Sequence, residues 1–242
     1  NVVDRNIEFK IDKIDYIHGC SMFFNRSIIE KIGYLSEEYF MFFDDVDFCK
    51  RADCWLINDS AMERILFDDR QVIHPASFPG MRERVITVGS ASKEYRMIGW
   101  RVGWVVGPAE ILADTARVSI SNVVCQTGIA MGAVAVAIND SDDRIFECVS
   151  EWQDRRDILL RELTDLNVIT PHGGWSFLID VSELGIDGSS ASKLLLEGGN
   201  IAATPMVNWG SAQSSKYLRI VFSNEPAERL RGIGKQFMDV FN

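Results

Sequence analysis

The sequence has 242 residues, of which 47% are hydrophobic and 25% charged, and its formal net charge at pH 7 is −10. This length and balance suit one large globular domain or two small ones, each with its own hydrophobic core. The acidic charge argues against a nucleic-acid partner, because proteins that bind phosphate backbones usually carry a basic patch.

Two elements are predicted before residue 34. Residues 7–19, IEFKIDKIDYIHG, alternate apolar and polar side chains as a half-buried strand does. Residues 25–33, NRSIIEKIG, predict a short helix in which Asn25 is the cap and Gly33 ends the helix.

Three acidic residues follow an aromatic run at the predicted start of a second helix. They are Asp44, Asp45 and Asp47, within EEYFMFFDDVDFCKRA. Carboxylates at this position satisfy free backbone N–H groups and interact favourably with the helix dipole. A catalytic base is the second interpretation of the same pattern.

Residues 19–52 resemble the C-terminal part of the catalytic domain in family 2 glycosyltransferases, notably the rhamnosyltransferase-like members. The matching stretch is GCSMFFNRSIIEKIGYLSEEYFMFFDDVDFCKRA. The resemblance implies that Asp45, with Asp44 beside it, is the base that deprotonates an acceptor hydroxyl. That family's nucleotide-sugar half, with its Asp-x-Asp metal motif, has no counterpart in this sequence. We therefore expect neither glycosyl transfer nor a metal site.

The stretch from residue 55 to about 139 predicts alternating strands and helices. Three apolar runs, CWLIND, RVITVGS and RVGWVVGP, predict strands that are buried on both faces. Residues 60–67 and the stretch from Ala109 to Ile138 have helical spacing. The pattern predicts an α/β fold with an at least partly parallel sheet, whose strand ends are the usual place for ligands.

Lys93 lies just past the end of the second of these strands, within GSASKEYRMIGWRVGW. A solvated surface lysine is one interpretation. A functional lysine is the other, because lysine forms imines with carbonyl compounds and the small residues before it leave room for a cofactor. Ser90 and Arg101 are residue types suited to a phosphate group.

Residues 85–108, VITVGSASKEYRMIGWRVGWVVGP, resemble the cofactor-lysine segment of the class I and II aminotransferases. These are fold-type I enzymes that use pyridoxal 5'-phosphate. The resemblance implies that Lys93 is the catalytic lysine that binds the cofactor as an imine. It further implies that Ser90 and Arg101 bind the cofactor phosphate and that Asp59 pairs with its protonated pyridine nitrogen.

The same resemblance implies a reaction and an assembly. Amino-group transfer between an amino acid and a 2-oxo acid is expected, in a homodimer of the kind common in the family. The sequence departs from the family pattern at Met62, where many members have a tyrosine. That tyrosine donates a hydrogen bond to the cofactor's phenolic oxygen, which a methionine cannot do.

Residues 140–242 predict a small α+β unit. Residues 143–166 have the spacing of a long amphipathic helix. The side chains expected on its apolar side are Phe146, Val149, Trp152, Ile158, Leu159 and Leu163. Strands and a further helix follow, and residues 225–241 predict one closing helix.

Three motifs in this unit, PHGGWSF, IAATP and YLRIVFS, resemble those of the small C-terminal aminotransferase domain. The resemblance implies that Arg219 binds the substrate α-carboxylate through two parallel N–H bonds. An arginine on an ordinary exposed strand face is the alternative. Gly173 and Gly174 suggest close backbone packing, and Trp175 is expected in the core or a pocket wall.

The predicted domains are therefore a glycosyltransferase-like segment (1–54), a partial aminotransferase large domain (55–139) and a small C-terminal domain (140–242). The two resemblances meet within FCKRADCWLIND without a Gly, Ser or Pro linker. Four interpretations stay open: a chimera of two catalytic fragments, an aminotransferase that completes its site across subunits, a non-catalytic interaction module, and a glycosyltransferase.

Five scattered cysteines without a Cys-x-x-Cys pair predict neither a disulfide framework nor a zinc site. A cytoplasmic location is the resulting expectation. The longest apolar stretch, TGIAMGAVAVAI at 127–138, is too short to cross a bilayer, so no membrane partner is expected.

Overall fold

The chain folds into two compact units. Its structure, a computed structural model, describes residues 26–33, 47, 51, 53–140, 144–210 and 212–241. Among these residues, the first unit holds those up to 62 and those from 73 to 140. The second holds 63–72 and everything from 144 onward. Residues 63–72, which we call the strap, therefore pack with the second unit although both flanking segments belong to the first.

The first helix, α1 (Arg26–Ile32), lies where the sequence predicts it. It ends at Gly33, whose φ is +81° and whose N–H donates to the Ile29 carbonyl at 2.8 Å. A positive φ of this kind favours glycine, which is why the helix stops there. The strand predicted at 7–19 lies outside the described residues.

The first unit contains a three-stranded sheet. Its strands are β1 (Leu56–Asp59), β2 (Val85–Ser90) and β3 (Gly103–Val106), in the order β1-β2-β3. β1 and β2 are parallel, whereas β2 and β3 are antiparallel, so the prediction of a partly parallel sheet is confirmed.

Two helices follow the sheet, α2 (Ala109–Val123) and α3 (Gly128–Asn139). α2 has no buried residue, and α3 buries only Ala130 and Val134. Most residues of β1 and β3 are only partly buried or exposed, and in β2 only every second residue is buried. The expectation that these strands are buried on both faces is wrong.

Residues 60–67 form turns and not the helix that their spacing suggests. The Asp59 carboxylate accepts the Ala61 N–H at 3.0 Å, which starts a turn directly after β1. The chain then pairs with residues 172–174 of the second unit: Phe67 donates to the His172 carbonyl at 3.0 Å, and Gly174 donates to the Ile65 carbonyl at 2.9 Å. Tertiary pairing therefore overrides the local helical pattern.

The strap is held on the second unit by Arg156, a buried residue. Its guanidinium donates to both carboxylate oxygens of Asp68, at 2.6 and 2.8 Å, and to Asp157 at 2.8 Å. The guanidinium also lies 4.8 Å from the centre of the Phe67 ring. These hydrogen bonds lower the pKa of the Asp68 carboxyl, because they stabilise its charged form.

The second unit combines strands and helices, as predicted, and its sheet is antiparallel. Its helices are α4 (Ile145–Glu162), α5 (Gly188–Gly199), α6 (Ala227–Leu230) and α7 (Ile233–Phe241). Its strands are β4 (Asn167–Ile169), β5 (Ser176–Asp180), β6 (Thr204–Pro205) and β7 (Tyr217–Val221), in the order β4-β5-β7-β6.

The core of this unit lies between the sheet and the helices. Its most deeply buried members include Phe67 of the strap, Leu159, Leu195, Leu218 and Phe222. Burying a side chain of this size stabilises the fold by about 1.5–3 kcal/mol.

Two expectations for the helices of the second unit are corrected. Phe146 is 84% exposed, because the buried side of α4 begins with its neighbour Ile145. The one closing helix predicted at residues 225–241 is observed as two helices, α6 and α7, because Gly232 adopts a φ of +78° between them.

Candidate functional site

Lys93 lies in the turn that follows β2, where it is half-buried between the buried residues Ser92 and Glu94. The turn is closed by three backbone hydrogen bonds: Arg96 to the Lys93 carbonyl (3.0 Å), Met97 to the Ala91 carbonyl (3.2 Å) and Ala91 to the Val102 carbonyl (3.1 Å). The lysine is thus set on a fixed backbone and not on a long flexible loop.

Aromatic packing anchors the same turn to the sheet. Trp104 of β3 lies against Gly89, where an added Cβ would be 2.1 Å from the indole Nε1. Tyr95 packs edge-on against Trp104, with ring centres 6.4 Å apart. Gly89 is therefore required for this contact, and a larger residue there would push Trp104 away from the Lys93 turn.

Ser90 and Arg101 lie at the two ends of the loop that carries Lys93. The Ser90 Oγ accepts the Ser92 N–H at 3.1 Å, which leaves its own O–H able to donate to a ligand. Arg101 adopts the left-handed conformation, with φ of +56°. Its Nη1 donates to the Ile98 carbonyl at 3.0 Å and lies 3.5 Å from the Ser92 Oγ.

Asp59 is brought to the same edge of the sheet. It ends β1 as Ser90 ends β2, and the two strands are parallel, so both residues lie at carboxyl ends of neighbouring strands. Asp59 pairs with Val88, two residues before Ser90. Because side chains alternate along a strand, Asp59 and Ser90 point to the same face of the sheet. Met62 follows after the turn and is partly exposed.

These residues meet the chemical needs of pyridoxal 5'-phosphate, the group that the sequence implies. A hydroxyl donor and a guanidinium suit its phosphate, an exposed carboxylate suits its pyridine nitrogen, and an amine suits its aldehyde. The left-handed Arg101 is a costly conformation for a residue with a side chain, and such conformations cluster at ligand sites.

Sequence reasoning missed His74, which supports the strand end beside Asp59. The His74 Nδ1 accepts the Ala76 N–H at 3.1 Å, and its Nε2 lies 3.0 Å from the Thr87 Oγ1 and 3.5 Å from the Asn58 Nδ2. Asn58 and Thr87 form the strand pair next to Asp59 and Val88. The proline after His74 marks the start of a helical turn, but the contact of His74 with Thr87 depends on strand pairing, which the sequence does not show.

Arg219 lies on β7 of the second unit, between Leu178 of β5 and Thr204 of β6. It is partly buried, and its guanidinium lies 4.9 Å from the centre of the Trp209 ring. Among the residues that the structure describes, the buried Arg219 Nε has no hydrogen-bond partner. A buried N–H without a partner is costly, so this atom is the expected place for an acceptor from a ligand.

The close packing expected at the glycine pair is confirmed at Gly173 and is wrong at Gly174, where an added Cβ would meet no atom within 4 Å. A Cβ on Gly173 would lie 2.4 Å from the Ile65 carbonyl oxygen, and Gly174 has a φ of +80°. Trp175 is half-buried.

The acidic residues of the first segment are only partly described. Asp44 and Asp45 lie outside the described residues, so their role as a base stays a prediction. Asp47 is helical and accepts a hydrogen bond from the Arg51 Nε at 2.7 Å, one turn later. Within the described ranges, His, Cys, Asp and Glu side chains form no group of three that could bind a metal ion. In the same ranges, no helix is both long and apolar enough to cross a bilayer.

Comparisons with known proteins point to one family. The family model for aminotransferase class I and II matches residues 43–233. This match begins twelve residues before the boundary at 55 that the sequence analysis predicted.

Two curated relatives and one solved structure illustrate the similarity. An arginine–pyruvate transaminase from Pseudomonas aeruginosa is 30% identical over 184 residues, covering 74% of this chain and 47% of that protein. An aspartate aminotransferase from Pyrococcus abyssi is 29% identical over 181 residues, covering 73% and 46%. The crystal structure of an aromatic aminotransferase from Pyrococcus horikoshii superposes with a TM-score of 0.75 and 27% identity, over 81% of this chain and 53% of that chain.

The chain spans about half the length of the curated relatives it matches. Within that span, the family model covers most of this sequence and the solved structures share its fold. The chain therefore belongs to the class I and II aminotransferase family.

Proposed function

We propose that this chain is an aminotransferase that uses pyridoxal 5'-phosphate to move an amino group from an amino acid to a 2-oxo acid. The observation that carries the proposal is the loop after β2, where Ser90 and a left-handed Arg101 both contact Ser92, the residue directly before Lys93. Asp59 ends the neighbouring parallel strand, at the same edge of the sheet. Family membership supports the same reaction.

Each residue has a role in binding or proton transfer. Ser90 and Arg101 bind the cofactor phosphate, and Asp59 accepts a hydrogen bond from its pyridine nitrogen. Arg219 binds the substrate carboxylate through its Nε edge. When bound, pyridoxal 5'-phosphate supplies an electron-withdrawing ring that stabilises negative charge at the substrate Cα. The Lys93 Nζ would hold the cofactor at its aldehyde carbon and, once an incoming amino acid has displaced it there, would be free to take up the proton lost from the substrate Cα.

Met62 makes the cofactor's surroundings different from those in many family members. Its side chain offers no hydrogen-bond donor to the phenolic oxygen. We expect this oxygen to take its hydrogen bond elsewhere, which changes the absorption spectrum of the bound cofactor and leaves the anchoring by Lys93 in place.

A visible absorption spectrum tests the proposal most directly. The full chain is incubated with pyridoxal 5'-phosphate and dialysed, beside Lys93→Ala and the control Lys193→Ala, which removes an exposed lysine of α5. We expect a retained visible band in the wild type and in Lys193→Ala, and none in Lys93→Ala. Equal bands in all three proteins would mean that the cofactor reacts with surface amines, and the proposal would fail.

Substrate choice is tested with a panel of amino donors. The panel contains arginine, aspartate and aromatic amino acids, the donors in the names of the similar proteins. Transamination of any donor by the wild type and not by Lys93→Ala supports the proposal. Lack of turnover with every donor and 2-oxo acid, despite bound cofactor, would favour the non-catalytic interpretation.

We further propose that the chain assembles as a homodimer, which fits the exposed apolar side chains of α2 and α3. Val118, Ile120, Val123, Ile129 and Val136 are all at least half exposed. Large exposed apolar surfaces commonly mark sites of association. A second copy that covers these helices would remove the apolar surface from water.

The glycosyltransferase-like origin of residues 1–54, and with it the chimera, stays a prediction, as does a cytoplasmic location. Binding of a nucleotide sugar in the presence of a divalent metal would support a working glycosyltransferase segment. Without such binding, only the sequence resemblance of Asp45 and its neighbours remains.

A further inference from the structure

Trp209 covers the guanidinium of Arg219 without belonging to the core. Trp209 is 59% exposed and is not one of the buried or partly buried members of the hydrophobic cluster of the second unit. Its ring centre nevertheless lies 4.9 Å from the Arg219 Cζ, within the range of a cation–π interaction. Core packing therefore does not explain why a large aromatic residue is present at this point.

The backbone holds Trp209 in this position. The Trp209 N–H donates to the Met206 carbonyl at 3.1 Å, and the Met206 N–H donates to the Tyr217 carbonyl of β7 at 3.0 Å. Asn208 adopts the left-handed conformation, with φ of +66°, within the tight turn from Met206 to Trp209. The indole is thus positioned from the strand that also carries Arg219.

Stacking and hydrogen bonding use different parts of a guanidinium. An aromatic ring contacts its flat face, whereas the N–H bonds leave in the guanidinium plane. Contact with Trp209 therefore orients Arg219 without occupying its donors. The buried Nε, which has no hydrogen-bond partner among the described residues, is still available to a carboxylate.

We propose that Trp209 is a positioning residue, which holds the Arg219 guanidinium so that its Nε edge receives the carboxylate of the substrate. The proposal rests on the proposed function for the identity of that substrate. Binding to Arg219 requires only a carboxylate group, so the affinity for a carboxylate can be measured without the cofactor. Without Trp209, the Arg219 side chain becomes ordered only when the carboxylate binds. The entropy lost in that ordering weakens carboxylate binding.

The test measures binding of 4-methylpentanoate to the full chain by ligand-observed NMR, with 4-methylpentanamide as the neutral analogue. This probe has no aromatic ring, so its own stacking on Trp209 does not contribute. Four proteins are compared: the wild type, Trp209→Phe, Trp209→Leu and Arg219→Lys. Thermal unfolding of each variant is followed in parallel, and we expect little change for the Trp209 variants because the indole is largely exposed.

We expect the wild type to bind the carboxylate and not the amide. Trp209→Phe keeps an aromatic face and should bind within about threefold of the wild type, whereas Trp209→Leu should weaken binding about three- to thirtyfold. Arg219→Lys should abolish saturable binding, because an ammonium lacks the paired donors. When turnover is measurable, the Trp209 variants should raise KM more than they lower kcat.

Two results would overturn the proposal. Equal affinity in Trp209→Leu and the wild type would show that the indole does not position Arg219. Unchanged binding in Arg219→Lys would show that the carboxylate binds elsewhere. If the probe binds as expected while the Lys93-dependent absorption band is missing, the positioning role stands and the aminotransferase proposal fails.

Discussion

At the residue scale, Asp180 fixes the start of the strand that carries Arg219. Its carboxylate, at the end of β5, accepts from the Lys216 Nζ at 2.6 Å, from the Ser182 Oγ at 2.6 Å and from the Ser182 N–H at 3.0 Å. Lys216 directly precedes β7. The hydrogen bond from Lys216 is the largest cause that lowers the pKa of Asp180 to about 2, and the same contact raises the pKa of Lys216.

This lowered pKa predicts a pH dependence of stability. A carboxyl whose pKa is lower in the folded state stabilises the fold above its ordinary pKa of 3.8, and the contribution is lost as the pH falls through 2. Asp180→Asn should therefore lower the free energy of unfolding at pH 7 by about 1–2 kcal/mol, a reduced figure because Lys216 is partly exposed to solvent.

Denaturant unfolding of both proteins between pH 2 and pH 7 measures this effect. The difference between them should be constant from pH 7 to about pH 5 and shrink below pH 4. A difference that stays constant down to pH 2 would mean that ionisation of Asp180 does not stabilise the fold.

The candidate site residues could be proposed from the sequence, whereas the residues that support them could not. Lys93, Ser90 and Arg101 are candidates because a lysine between small residues and a spaced arginine form a local pattern, and their roles stay predictions. His74 and Trp209 were missed because their contacts, with Thr87 and Arg219, depend on strand pairing and on a turn. A single sequence does not contain those distances.

At the scale of elements, the turn at Gly173 joins the strap to the sheet of the second unit. Leu66 and Gly173 form a bridge there, and the backbone approaches so closely that a Cβ would meet the Ile65 carbonyl oxygen. Because Gly173 has no side chain, its backbone can approach the Ile65 carbonyl oxygen this closely.

Gly173→Ala should therefore destabilise the fold by about 1–3 kcal/mol, the usual cost of forcing extra atoms into a packed contact. Gly198→Ala is the matched control, because its Cβ would meet only the tip of Val240 at 3.5 Å and alanine favours the α5 helix. The control should be neutral or stabilising by up to about 1 kcal/mol. Equal unfolding temperatures for the two variants would contradict the conclusion that the contact at Gly173 requires a residue without a side chain.

The predicted helices are wrong where tertiary contacts determine the backbone conformation. Residues 60–67 have helical spacing, yet they pair with 172–174, and the closing helix is interrupted at Gly232. The positions of the strands in the first unit were predicted correctly, because β1, β2 and β3 are continuous apolar runs with small or charged residues at their ends.

At the scale of the whole molecule, strong net charge and exposed apolar helices act in opposite directions. A net charge of −10 repels a second copy, while the apolar faces of α2 and α3 favour association. Added salt screens the repulsion and leaves the apolar contact, so association should increase with ionic strength.

Ile129→Glu combined with Val136→Glu should shift the chain toward monomer in sedimentation velocity, because both side chains on α3 are more than two-thirds exposed. Leu196→Glu is the control, since it places the same charge on an exposed apolar position of α5 in the other unit. A wild type that is monomeric at every concentration and salt would refute the homodimer, and an equal effect of the control would refute the assignment to α3.

The strap gives the chain an unusual connectivity. The polypeptide passes from one unit to the other three times, near residues 62, 72 and 141, so the second unit is built from two segments that are far apart in the sequence. A fragment that starts at residue 142 would lack Phe67, a fully buried member of its core, and would leave Arg156 without Asp68. The second unit is therefore not one continuous stretch of sequence, because the strap that completes its core follows soon after Asp59 in the chain.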